Sequence, residues 1–155
     1  MRFETAQVLE LAGISKETLR HWKGILAPIS DHDGRSHRYT YPELVSLCVI
    51  SQAVQKLGLP VSRFGETATW LFAEIEARTK PANLPMALLI VGSEMEFGDD
   101  RDLPEVETIT VVRVDRVMER LRATVLDPGP QIAQLDLPFE HAKVVALTPS
   151  PRRRA

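Results

Sequence analysis

The chain has 155 residues, of which 44% are hydrophobic and 26% are charged, and its formal net charge is −2. This composition is sufficient for a packed core of one ordinary domain, or of a small domain with an appendage, and it argues against disorder of the whole chain. Residues 1–64 hold 8 Lys and Arg against 6 Asp and Glu, a balance of +2, and the other residues have a balance of −4. Because so small an excess does not indicate a nucleic-acid partner, only clustering of the cations can do so.

The single cysteine, Cys48, excludes an internal disulfide and a cysteine-rich zinc site. Its position in an apolar helical pattern predicts a buried, unreactive thiol. The four histidines, His21, His32, His37 and His141, lack a metal-ligand spacing, so we expect neither a metal nor a cofactor. No segment approaches the roughly 18 apolar residues that span a bilayer. We therefore expect a soluble, cytoplasmic protein that does not contact a membrane.

Residues 5–23 predict two short helices that are joined by a tight turn. Thr5 is suited to cap the first helix, and Gly13 is suited to its left-handed end. Ser15 is suited to cap the second helix, in which Leu19 and Trp22 are three residues apart and point inward together. A helix, a turn with glycine and a second helix are typical of the helix-turn-helix unit, whose second helix reads the major groove of DNA.

The outer side of the second predicted helix is cationic. Lys16, Arg20 and Lys23 follow one another at spacings of four and three, with Glu17 and His21 beside them. Phosphate oxygens attract such donors, and Arg can also bind guanine through two hydrogen bonds. For an isolated stripe of this kind a solvated helix face is the simpler interpretation. The basic residues that follow along the chain favour DNA binding instead.

Residues 24–38 predict a loop with a basic hairpin, because they are rich in Gly, Pro, Ser and Asp. Asp33-Gly34 favours a hairpin turn between short strands at residues 25–29 and 36–39. Such a hairpin would present three side chains on a protruding wing: Arg35, His37 and Arg38.

Two further helices are predicted after this hairpin. The capping box at residues 40–43 begins the third helix, and Leu57-Gly58 ends it. Its expected buried face comprises Leu44, Leu47, Cys48, Ile50 and Val54. The apolar stripe of the fourth helix comprises Val61, Phe64, Ala68, Leu71, Phe72 and Ile75. Trp70 flanks this stripe and suits either the core or an interface.

These elements together resemble the MerR-type winged-helix DNA-binding domain over about residues 3–75. The matching segments are Ala-Gly-Ile-Ser at 12–15, Thr-Leu-Arg-His-Trp at 18–22, His-Arg-Tyr-Thr at 37–40, Glu-Leu at 43–44 and Leu-Gly at 57–58. The chain departs from the family at residues 21–23, where His-Trp-Lys replaces the usual Tyr-Tyr-Glu, and at residues 36–37, where Ser-His replaces Gly-Tyr. These departures bear on base preference more than on the fold.

The resemblance implies roles for individual residues. Arg20 matches the family arginine that clamps the DNA backbone, and His21 stands where the family usually has a tyrosine with the same role. Arg38 and Tyr39 match the wing residues that grip phosphates. Residues 16–17 lie at the start of the recognition helix, where base edges are read.

The chain after residue 79 predicts a second, small α+β module. Members of the MerR family usually continue into a long coiled-coil helix that joins two subunits, but Pro81 and Pro85 stop such a helix here. We interpret residues 1–79 as the winged helix, 80–85 as a linker and 86–148 as a dimerisation or effector module. A basic tail at 149–155 follows. The predicted fold class is therefore α+β.

The second module is expected to contain strands at residues 86–91, 94–97, 108–114 and 143–147. Asp115 is suited to cap a helix between the last two of these strands. The inward side of that helix would comprise Val117, Met118, Leu121 and Val125.

No motif for catalysis is present, so we do not expect an enzyme. The acidic residues between 94 and 107 lack the alternation and the central glycine of a Ca²⁺ loop. We interpret them as a solvated loop.

We expect a sequence-specific regulator of transcription that binds double-stranded DNA as a homodimer, with the nucleoid as its location and RNA polymerase as a further candidate partner. The expected DNA-binding residues are Lys16, Glu17, Arg20, His21, Lys23, Arg35, His37, Arg38 and Tyr39. Two alternatives stay open. One is an excisionase-like architectural DNA-binding accessory, and the other is a protein-interaction module that docks an acidic partner.

Overall fold

A computed structural model describes residues 1–32, 37–79 and 86–126. In chain order its elements are β1 (Arg2–Phe3), α1 (Thr5–Ala12), α2 (Lys16–Lys23), a 3-10 turn (Ala27–Ile29), β2 (Tyr39–Thr40), α3 (Tyr41–Leu57), a 3-10 turn (Val61–Phe64), α4 (Ala68–Thr79), β3 (Ala87–Val91), β4 (Glu94–Gly98), β5 (Thr110–Arg113) and α5 (Val114–Leu126). The described structure thus mixes helices and strands, which confirms the predicted α+β class but not the winged helix itself.

Several predicted features lie outside the described residues. They are the hairpin turn at 33–34, Arg35, the linker at 80–85, His141, the strand at 143–147 and the basic tail at 149–155. What the sequence predicts for them stays a prediction.

Helices α1 and α2 are joined by the predicted tight turn. Gly13 adopts a φ of 65°, the left-handed conformation that glycine tolerates without steric cost. Ser15 caps α2, because its Oγ accepts a hydrogen bond of 3.0 Å from the Thr18 backbone N–H. Thr5 does not cap α1. The N-cap is Glu4, whose backbone N–H donates to Gln7 Oε1 at 2.9 Å.

The first sheet differs from the predicted hairpin. Strand β2 pairs with β1 at the start of the chain, with Arg2 opposite Thr40 and Phe3 opposite Tyr39. The predicted strand at residues 25–29 is wrong, since residues 27–29 form a 3-10 turn. Pro28 lies within this turn, where its fixed φ and missing N–H favour a turn over a paired strand.

Helix α3 is the centre of the described structure. The predicted capping box begins it: Thr40 Oγ1 accepts from the Glu43 backbone N–H at 3.4 Å, and Glu43 Oε2 accepts from the Thr40 backbone N–H at 2.7 Å. Gly58 ends it with a φ of 69°. We predicted one buried face, but α1, α4 and α5 all pack on this helix. Its buried residues are Leu44, Val45, Ser46, Leu47, Cys48, Val49, Ile50, Ser51 and Ala53.

The predicted fourth helix is divided in two. Phe64 lies in the 3-10 turn, and α4 begins only at Ala68. Gly65 stands at the break, and glycine is a weak helix former because it loses much backbone freedom. The apolar stripe is nevertheless buried as predicted, except that Val61 is only half-buried.

The second sheet has the strand order β4-β3-β5, and both pairings are antiparallel. The central strand β3 is buried on both faces over residues 87–90. Strand β5 continues directly into α5, and the backbone N–H groups of Val114 and Asp115 both donate to the Met86 carbonyl, at 2.9 and 3.1 Å. The prediction that Asp115 caps this helix is wrong, because α5 begins at Val114 and Asp115 lies in its first turn.

The two parts of the chain share one hydrophobic core. Helix α5 packs on α3, and its inward side joins the buried cluster that also contains Leu19, Trp22 and Leu47. Trp70 on α4 packs against Phe97 on β4, with ring centroids 5.4 Å apart. No helix among the described residues combines the length and the apolar character required to cross a membrane.

Candidate nucleic-acid interface

The outer face of α2 is the main cationic surface that the sequence predicted. Leu19 and Trp22 are each 2% exposed, so they fix this helix to the core. Lys16, Glu17, Arg20 and His21 are exposed on its other side. Within the described part of the chain no carboxylate forms an ion pair with Lys16 or Arg20. Both cations are therefore available to an external anion.

Lys23, at the end of α2, is half-buried and connects this helix to the next segment. Its Nζ donates a hydrogen bond to the His32 carbonyl. The His32 ring stacks on the His37 ring, with centroids 3.5 Å apart, and His37 is followed directly by Arg38. A continuous series of contacts thus joins the end of α2 to His37, the residue before Arg38.

Arg38 lies just before β2 and faces solvent, with a side chain that is 63% exposed. Its Nη2 is 3.8 Å from Glu4 Oε1, and such an exposed pair contributes little to stability. Arg2 pairs opposite Thr40, so it lies on the same face of this two-stranded sheet as Arg38, because side chains alternate along a strand. Arg2 is a candidate that we missed, since no local pattern predicts that the start of the chain pairs with residue 40.

Tyr39 does not occupy the expected exposed position. It is 0% exposed, because strand alternation turns it inward, opposite Phe3, while Arg38 points outward. Its hydroxyl is buried without a hydrogen-bond partner in the described structure, and burial raises the pKa of this phenol. In this position Tyr39 packs under the buried face of the sheet and cannot contact a phosphate.

A second set of cations lies around a groove of about 430 Å³ between α3, β5 and α5. Most of these cations are paired within the molecule. Arg113 Nη2 is 2.6 Å from Asp100 Oδ2, Arg116 pairs with Glu119 at 2.9 Å, and Arg120 Nη1 donates to the Leu11 carbonyl at 3.3 Å. This internal pairing leaves the outer face of α2 as the better candidate for binding a polyanion.

His32, His37 and Glu43 form a group that the sequence did not predict. One possible ligand atom from each residue lies within 4.8 Å of the others. The spacing of the histidines gave no indication of it, because Glu43 joins the group only through the start of α3. Among the described residues, this is the group of at least three potential ligands whose atoms lie close enough together to hold a metal ion.

Comparisons with known proteins returned no match. Neither the family models, nor the curated proteins, nor the solved structures match this chain. The function is therefore inferred from the residues themselves and from their geometry.

Proposed function

We propose that this protein binds double-stranded DNA in a sequence-specific manner and regulates transcription, with α2 as the helix that enters the major groove. The single observation that supports this most strongly is the outer face of α2, where Lys16 and Arg20 are exposed and unpaired in the described structure while Leu19 and Trp22 anchor the helix. A helix with its side chains is about 10–12 Å wide and fits the major groove of B-DNA, which is about 12 Å wide.

The residue types on α2 suit both parts of DNA recognition. Lys16 and Arg20 can bind phosphate oxygens or the O6 and N7 atoms of guanine. Glu17 can accept a hydrogen bond from the amino group of cytosine. His21 lies next to them on the exposed side. Contacts to bases would supply the specificity, whereas contacts to phosphates would supply most of the affinity.

The sheet of β1 and β2 would flank this contact. Arg38 and Arg2 lie on its solvent face, where they can bind phosphates beside the groove. This sheet is formed by β1 and β2 and not by the hairpin that the sequence suggested. In our proposal Tyr39 belongs to the support of the sheet, and Arg35 lies outside the described residues. A single module of this kind covers only a half-site, so we propose binding as a homodimer. RNA polymerase would be a partner if the bound sites lie in promoters.

Selection of duplexes from a random pool, followed by fluorescence anisotropy at several salt concentrations, tests the proposal. Replacing Arg20 or Arg38 by Ala should weaken binding and lower the slope of log affinity against log salt by about one unit per lost phosphate contact. Arg101→Ala is the matched control, because Arg101 is exposed on the loop after β4 and pairs locally with Asp99. Unchanged binding in both test variants would overturn the proposed surface.

The two alternative functions predict different results in experiments with the same protein and the same variants. An excisionase-like accessory would bend a recombination site cooperatively and leave promoter output unchanged. An interaction module would ignore duplex DNA and instead bind an acidic protein in a saturable manner, with Arg20→Ala again weakening the interaction. Enrichment of one symmetric duplex sequence, with a promoter response in cells, supports the regulator.

A further inference from the structure

Three side chains converge where the segment before β2 meets the first turn of α3. His32 and His37 come from this segment, Glu43 comes from α3, and all three residues are half-buried. The His32 Nε2 atom is 3.4 Å from Glu43 Oε1. The two imidazole rings stack at 3.5 Å with an angle of 15° between their planes.

Two polar atoms in this group are buried without a protein partner. In the described structure His32 Nδ1 and His37 Nε2 have no hydrogen bond. Buried polar atoms are nearly always satisfied in folded proteins, so two such nitrogens in one place require an explanation. The two carboxylate oxygens of Glu43 have different partners. Oε2 accepts hydrogen bonds from Thr40, whereas Oε1 faces His32. The capping box thus positions one carboxylate oxygen toward the histidines.

The surroundings of His32 act on its pKa in both directions, and burial is the largest cause. Burial lowers the pKa of His32, and neighbouring His37 and Lys23 act in the same direction, whereas Glu43 and Asp31 raise it. The Lys23 ammonium group is engaged with the His32 carbonyl. The Tyr39 ring lies edge-on to both imidazoles, at 5.2 and 5.3 Å, and closes one side of the group.

We propose that His32, His37 and Glu43 bind one divalent transition-metal ion of the Zn²⁺ type. Two imidazole nitrogens and one carboxylate oxygen are a donor set that such ions prefer, and water would complete a tetrahedron. Ligand atoms in a tetrahedral site with bonds of about 2.0–2.2 Å lie roughly 3.3–3.6 Å apart. The group, now within 4.8 Å, therefore has to contract. The stacked rings must also tilt apart, because a bound metal lies in the plane of each ring.

This site would have a structural effect that does not depend on DNA binding. An ion bound to His32, His37 and Glu43 would fix two points of the chain before β2 to the start of α3. Arg38 follows His37 directly, so its position would be fixed as well.

Calorimetric titration of the metal-stripped, tag-free full chain with ZnCl₂ tests the proposal, and thermal unfolding provides a second readout. We expect one Zn²⁺ per chain and a higher Tm with Zn²⁺. His32→Gln and His37→Gln should each weaken binding at least tenfold. His21→Gln is the matched control, since His21 is exposed on α2, and it should bind like the unchanged protein.

Nuclear magnetic resonance of the unchanged protein gives a test that does not depend on the folding of any variant. The imidazole signals of His32 and His37 should shift with one equivalent of Zn²⁺, while those of His21 should not. An absence of binding by the unchanged protein overturns the proposal. So does one-to-one binding that persists in the double variant His32→Gln/His37→Gln, because the ion would then be bound elsewhere.

Discussion

Helices α2 and α3 are neighbours in the chain, yet they differ in how they use their polar side chains. Helix α2 buries only Leu19 and Trp22 and exposes a cationic face. Helix α3 is enclosed by other elements, and the hydroxyls of its two buried serines are bonded within the molecule: Ser46 donates to the Pro42 carbonyl at 2.8 Å, and Ser51 donates to the Ala12 carbonyl at 2.7 Å.

Because of this difference, we expect residues of α3 to determine stability and exposed residues of α2 to determine binding. The buried apolar residues and serines of α3 make their contacts within the fold, so changing them should alter the free energy of unfolding. Arg20 on α2 has no ion-pair partner in the described structure, so changing it should alter DNA binding and not stability. The four substitutions below test this separation, from the largest expected change in stability to the smallest.

Leu47→Ala should lower the free energy of unfolding by about 2–5 kcal/mol, because Leu47 is fully buried in α3 and its removal leaves a cavity. Leu57→Ala is the matched control on the same helix, where the side chain is 47% exposed. Its cost should stay below about 1 kcal/mol. Urea denaturation measures both values. Equal losses in the two variants would contradict the central position of α3.

Ser51→Ala should cost about 1–3 kcal/mol, because it leaves the Ala12 carbonyl, at the end of α1, buried without this partner. Ser46→Ala should cost less, since the Pro42 carbonyl that it frees belongs to the same helix and retains the backbone bond of that helix. Denaturation curves of the two variants give the difference. A larger loss for Ser46→Ala would show that the bond between α3 and α1 is unimportant.

Ser15→Ala should cost about 1 kcal/mol, because the Thr18 N–H loses its acceptor at the start of α2. Ser15→Asn provides a side-chain oxygen at the same position and should retain most of the stability. Thermal unfolding followed by circular dichroism compares them. If Asn is as destabilising as Ala, the cap does not account for the loss.

Arg20→Ala should change the free energy of unfolding by no more than about 0.5 kcal/mol, which is typical of an exposed side chain without structural partners. The same variant is expected to lose affinity for duplex DNA. Denaturation and anisotropy measured on one preparation provide both values. A loss of stability above 1 kcal/mol would mean that Arg20 has a structural role.

The elements that the sequence predicted well have strong local causes. Ser15 and the capping box of Thr40 and Glu43 mark helix starts through bonds that span three residues. Gly13 and Gly58 mark helix ends through a left-handed conformation that few other residues adopt. Buried residues of α2 and α5 followed from the helical period.

The errors that affect the candidate sites arose where distant parts of the chain meet. The partner of β2 is Arg2–Phe3, and no local pattern predicts a pairing over such a separation. That pairing turns Tyr39 inward and brings Arg2 beside Arg38. The group of His32, His37 and Glu43 was missed for the same reason, because its residues approach only after α3 has been placed.

The bond between Arg120 and the Leu11 carbonyl has a consequence for signalling. It joins α5, which continues from the second sheet, to the last turn of α1, just before the Gly13 turn that leads into α2. A ligand or second subunit that displaced α5 would strain this bond and the shared packing on α3. The angle of α2 would then respond to an event at α5, because both helices share this core.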